Sequence, residues 1–74
     1  MNNYKVLIAD DEAQIREILR VYFQKEGFQV LEAENGQEAL ERVEADRPDI
    51  LLLDIMMPVM DGLQVCEEVR RKYD

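Results

Sequence analysis

Two kinds of apolar pattern take turns along the chain. Short runs that are apolar almost without interruption alternate with longer stretches in which apolar residues recur every three or four positions. Residues 4 to 9, containing Val6-Leu7-Ile8-Ala9, predict a strand. Ile15, Ile18, Leu19, Tyr22 and Phe23 then fall at the spacing of one helical face. Gly27 stops that helix where a left-handed C-terminal cap is usual. Phe28 to Ala33 predict a second strand, and Asn35 opens a second helix with Glu38 three residues on, a capping-box arrangement. Ala39, Leu40 and Val43 supply its apolar stripe, and Arg47-Pro48 ends it. Asp49 to Leu53 predict a third strand, whose unbroken apolar run is that of a strand covered on both faces. Residues 55 to 60 form a loop broken by Pro58, and Asp61 caps a last helix with Val65, Cys66, Val69 and Tyr73 on its buried face.

Strand and helix alternate three times with no linker or low-complexity segment between them. This predicts an α/β domain over residues 1–74, with a parallel sheet, right-handed crossovers and no second domain. In such sheets ligands bind outside the carboxyl ends of the strands. Asp10 and Asp11 follow the first strand and Asp54 follows the third, so three carboxylates converge on that edge. Two unit charges about 4 Å apart repel by roughly 4 kcal/mol at an effective dielectric near 20. The cluster therefore calls for a hard cation, or for one carboxyl held protonated. The plainer alternative is that Asp10 or Asp11 caps the next helix while Asp54 merely ends a strand.

Composition narrows the chemistry. Nine Lys plus Arg against seventeen Asp plus Glu give a formal charge of -8, which argues against direct nucleic-acid contact and favours a cation as ligand. The apolar runs are too short to span a bilayer, and no signal peptide precedes Lys5, so no membrane association is expected. The single cysteine, Cys66, permits no internal disulfide and fits a reducing, cytoplasmic setting; core packing is its expected role. Histidine, serine and threonine are all absent, which removes the hydrolase triads and any ordinary zinc site. Gly27, Gly36 and Gly62 are isolated, so no phosphate-cradling glycine motif occurs. Met56, Met57 and Met60 read as loop packing, and Arg70, Arg71 and Lys72 suit a helix C-terminus electrostatically.

Three segments carry a family resemblance. Val6-Leu7-Ile8-Ala9-Asp10-Asp11-Glu12 resembles the first strand and acidic pair of the receiver domain of two-component response regulators. Residues 33 to 40, Ala33-Glu34-Asn35-Gly36-Gln37-Glu38-Ala39-Leu40, resemble its second strand-to-helix junction. Residues 51 to 62, from Leu51 through Asp54, Pro58 and Asp61 to Gly62, resemble its phosphoacceptor stretch. The resemblance implies a flavodoxin-like fold with strand order 2-1-3, truncated before strands four and five. It implies that Asp54 accepts a phosphoryl group from a phosphohistidine on a sensor histidine kinase, a phosphoacceptor role rather than that of an enzyme. It further implies that Asp11 holds Mg²⁺ directly, that Asp10 supports it through water, and that Asp54 and the backbone carbonyl of Met56 complete the protein's share.

The family's five-unit fold also places a hydroxyl residue on strand four and a lysine on strand five, and this chain offers no substitute for either. Weak phosphotransfer, or none, is the resulting expectation. With strand four absent, Ile50-Leu51-Leu52-Leu53 becomes an edge with no Lys, Pro or Gly to guard it. A homodimer through the third strand is therefore expected. The alternative function is a self-associating or complementing (βα)₃ structural fragment without phosphotransfer activity.

Overall fold

A computed structural model of the chain describes residues 4–54 and 62–73. Three strands, β1 (Lys5–Ala9), β2 (Gln29–Ala33) and β3 (Ile50–Leu53), alternate with three helices, α1 (Ala13–Lys25), α2 (Gly36–Asp46) and α3 (Gly62–Tyr73). The strands form one parallel sheet in the order β2-β1-β3. The parallel sheet is the one that the alternation of patterns predicts, and its order is the flavodoxin-like one that the resemblance implies. β1 is the middle strand, and Val6, Leu7, Ile8 and Ala9 are fully buried.

The period of two along the strands sorts side chains onto two faces. On one face Leu7, Ala9 and Ala33 join Ala39 and Val43 of α2 and Val65 of α3 in the principal core, with Leu31, Leu51, Leu53 and Val69 packed against it. The other face, carrying Ile8 and Leu52, meets α1, which lies chiefly over β1 and β2. No residue of α1 is fully buried. Its apolar stripe is partly uncovered, with Ile18 64% exposed and Ile15 and Tyr22 also exposed.

Local sequence explains where each helix stops. After α1, Gly27 adopts φ 92°, a region open to glycine without steric cost. Its amide donates to the carbonyl of Gln24 and that of Phe28 to the carbonyl of Phe23, the paired bonds of a Schellman motif. The accompanying apolar contact is the edge-to-face pair of Phe23 and Phe28, 5.3 Å between ring centroids. At the start of α2 the Asn35 side chain accepts from the Glu38 amide at 2.9 Å, while Glu38 reaches back to the amide of Glu34 rather than to that of Asn35. α2 ends at Arg47, held left-handed at φ 49° just before Pro48.

Two expectations need correction. Cys66 is exposed, not core. Val65 and Val69, four residues apart, form the buried stripe of α3, and Cys66 is turned about 100° from Val65 around the helix axis. β3 is not covered on both faces either: all four of its residues are only half-buried. Leu51 and Leu53 meet the core, but among the described residues no helix lies squarely over the face carrying Leu52, which borders α1. The expected loop at residues 55 to 60, the Asp61 cap and the packing of the Tyr73 side chain lie outside the described residues.

Candidate functional site at the carboxyl edge of the sheet

Register brings the ends of β1 and β3 together. Ala9 is paired with Ala33 on one side and with Leu53 on the other. The ladder continues one residue further, with the Asp10 amide donating to Ala33 at 3.1 Å and the Asp54 amide donating to Ala9 at 2.9 Å. Asp10 and Asp54 thus leave adjacent strands at the same edge, about 4.8 Å being the normal spacing between neighbours. Asp10 and Asp54 are half-buried and Asp11 is exposed.

Asp10 is built into the turn that leads to α1. Its Oδ1 accepts from the Glu12 amide at 2.9 Å, a bond within the turn ahead of α1 and not a cap on the helix, so the plainer reading of Asp10 as a helix cap does not hold. Glu12 is the residue before α1 and makes no side-chain capping bond of its own. Among the described residues, the closest carboxylate group is Asp10, Asp11 and Glu12, whose ligand atoms lie within 4.8 Å of one another. Asp54 stands across the edge from them. It lines a cleft of about 370 Å³ together with Asp10 and Glu12, above the apolar side chains of Ile8, Ile15, Leu19 and Leu52. Met56, whose carbonyl the resemblance places in the same site, lies outside the described residues.

Glu12 is the participant that strand-end reasoning passes over. The signal was present as three acidic residues in a row after an apolar strand. The lysines, by contrast, stand away from this edge: Lys5 Nζ donates to the Asp46 carbonyl at 3.1 Å, at the far end of β1. Lys25 ends α1, and Lys72 on the last turn of α3 pairs with Glu44 of α2 at 3.9 Å.

The donor set suits Mg²⁺. Only oxygen ligands converge, and opposite ligands of an octahedral Mg²⁺ lie about 4.2 Å apart. The acidic group of Asp10, Asp11 and Glu12 spans up to 4.8 Å, a little more than that separation. Softer metals prefer sulfur or imidazole, which this edge lacks among the described residues.

The parallel 2-1-3 sheet matches the flavodoxin-like fold of solved receiver domains. Residues 6–74 match the response regulator receiver domain, and the chain belongs to that family. It is 46% identical over 71 residues to the transcriptional regulatory protein ResD of Bacillus subtilis (strain 168), covering 96% of this chain and 30% of ResD. Among solved structures it is similar to the chemotaxis response regulator CheY4 of Vibrio cholerae, with a TM-score of 0.92 and 35% identity over 96% of this chain and 59% of that one. It is also similar to the response regulator TrrA of Thermotoga maritima, solved in complex with Mg²⁺-BeF, with a TM-score of 0.90 and 43% identity over 95% of this chain and 61% of that one. The chain thus spans less than two thirds of the solved receivers it matches and under a third of ResD. Aspartate phosphorylation, Mg²⁺ binding and interaction with histidine kinases are general to the family.

Proposed function

We propose that this chain is the phosphoacceptor part of a two-component response regulator and that Asp54 takes the phosphoryl group. The observation that carries the reading is the register of β1 against β3, which sets Asp54 beside the acidic turn of Asp10, Asp11 and Glu12. A carboxylate oxygen of Asp54 attacks phosphorus, the N–P bond of a phosphohistidine on a sensor kinase breaks, and the imidazole nitrogen leaves and takes up a proton. Asp11 and Asp54 would ligate Mg²⁺, with Asp10 acting through water and the Met56 carbonyl adding one donor. When bound, the ion neutralises charge between an anionic nucleophile and an anionic donor, the main electrostatic obstacle in phosphoryl transfer. Asp10 contributes by holding the turn in shape through its bond to the Glu12 amide.

The 74 residues contain no hydroxyl side chain of serine or threonine, and Lys5, Lys25 and Lys72 stand away from the cleft. Among the described residues no lysine, and no serine or threonine hydroxyl, therefore stands at the cleft to neutralise or read the phosphoryl oxygens as the family's strand-five lysine and strand-four hydroxyl do. Labelling of this chain alone by a small-molecule phosphodonor is slow, and the C-terminal half of a receiver added in trans accelerates it. The test is acid-labile labelling with Mg²⁺, with and without that half, in wild type and in Asp54→Asn. Label that persists in Asp54→Asn contradicts the assignment.

A second reading, self-association, is favoured by the half-buried β3 edge and the exposed Ile15, Ile18 and Tyr22 of α1. Two copies related by a two-fold axis would pair their third strands antiparallel, giving six strands in the order 2-1-3-3-1-2.

A further inference from the structure

Asp10 is tethered at three points. Its amide donates to the Ala33 carbonyl at 3.1 Å, and its Oδ1 accepts from the Glu12 amide at 2.9 Å. The third tether is a side chain: Nη1 of Arg16 donates to the Asp10 carbonyl at 2.7 Å. Arg16 lies near the start of α1, and its side chain is 15% exposed. Its Nε donates to Oε1 of Glu32 on β2 at 3.2 Å, and Oε2 of Glu32 lies 3.4 Å from Nε of Arg20. The Arg16 guanidinium thus spans from the end of β1 to a carboxylate on the neighbouring strand. A planar fork makes both bonds at once, which a lysine ammonium on its flexible stem does not reproduce.

We infer that Arg16 is a positioning residue for the acidic edge. By fixing the carbonyl of Asp10 it fixes the turn to Glu12, and with it the directions in which the Asp10 and Asp11 carboxylates present themselves to Mg²⁺. The inference rests on the reading of this edge as the Mg²⁺ site. Glu32 holds the guanidinium in place, and Arg20 holds Glu32.

Charge and positioning predict opposite signs. A guanidinium close to a cation site repels the ion, so as a charge alone Arg16 weakens Mg²⁺ binding and its removal tightens it. As a positioning group its removal loosens the turn and weakens binding. Arg16→Lys separates the two, because it keeps the charge and loses the fork.

The experiment measures Mg²⁺ affinity by titration of the backbone amide resonances in wild type, Arg16→Lys, Arg16→Gln and Glu32→Gln, together with amide hydrogen exchange in the absence of metal. Both Arg16 variants are expected to bind Mg²⁺ about tenfold more weakly, the lower end of what loss of an outer-shell partner usually costs. Exchange at the Glu12 amide accelerates in the metal-free protein, while Leu7 and Ile8 in the middle of the sheet keep their protection. Glu32→Gln, which leaves Arg16 in place, moves both quantities in the same direction by less, and it carries the test if the Arg16 variants do not fold. Wild-type or tighter Mg²⁺ affinity in a folded Arg16→Lys, or in Glu32→Gln should neither Arg16 variant fold, overturns the proposal. Asp11→Ala serves as the control for the site itself. If Asp11→Ala binds Mg²⁺ as wild type does, the site reading fails, whereas the metal-free exchange at Glu12 still decides whether Arg16 holds the turn.

Discussion

Replacing Asp11 with asparagine should make the metal-free protein more stable and the Mg²⁺-loaded protein relatively less stable. Asp11 is exposed, and its carboxylate lies within 4.8 Å of those of Asp10 and Glu12. Because the group faces water, the high-dielectric limit applies: at 4.8 Å, two unit charges repel by about 0.9 kcal/mol. Screening at physiological ionic strength, with a Debye length near 8 Å, reduces each pair to about 0.5 kcal/mol. Two pairs make about 1 kcal/mol. The three residues are consecutive, so part of that repulsion persists in the unfolded chain and the net gain is about 0.5–1 kcal/mol. For a domain of this size that raises Tm by about 2–8 °C. Mg²⁺ at ten times its Kd stabilises the wild type by about 1.4 kcal/mol, and Asp11→Asn forfeits most of it. The order of stabilities therefore reverses between chelator and saturating Mg²⁺ in thermal unfolding followed by circular dichroism. The gain without metal shrinks in 1 M NaCl. If Asp11→Asn is less stable than wild type in chelator, the cluster is not a site of repulsion and the reasoning fails.

Gly27→Ala places a Cβ at φ 92° and should cost about 1–2 kcal/mol, read as a lower urea midpoint with an unchanged m-value. Asn35→Ala removes the acceptor for the Glu38 amide and should cost about 1 kcal/mol in the same assay. Light scattering at high micromolar concentration should find dimers of the wild type, and Leu52→Lys, which puts a charge on the β3 edge, should return monomers. A monodisperse wild-type monomer rules the dimer out, and an intact Leu52→Lys dimer removes β3 from its interface.

Hydrophobic period carried most of the fold. Each strand is one residue shorter at its start than the pattern suggests, because Tyr4, Phe28 and Asp49 flank the ladder. Two of the three still take part in cross-strand hydrogen bonds, from the Gln29 amide to the Tyr4 carbonyl and from the Asp49 amide to the Lys5 carbonyl, both 2.9 Å. Helix ends were legible from Gly27, Asn35 and Arg47-Pro48 because each acts through its own backbone or through partners a few residues away. Coverage was not legible. An apolar run such as Ile50 to Leu53 states what a strand tolerates burying, and the number of helices over it is a property of the whole assembly. Cys66 was misplaced for a related reason, since a stripe of Val65 and Val69 is narrower than a residue-type reading assumes. At the site, adjacency in sequence hid Glu12, and no local pattern could reveal that Arg16 spans from Asp10 to Glu32, because that link depends on the pairing of β1 with β2.

The central claim is that the ends of β1 and β3 form one cation site around the phosphoacceptor. A Mg²⁺ titration followed by the backbone amide resonances of Asp10, Asp11, Glu12 and Asp54 tests it most directly. The account predicts that all four shift together along a single binding curve, and that Asp54→Asn weakens the curve seen at Asp10 to Glu12. Shifts confined to Asp10, Asp11 and Glu12, with Asp54 silent and its substitution without effect, would contradict it.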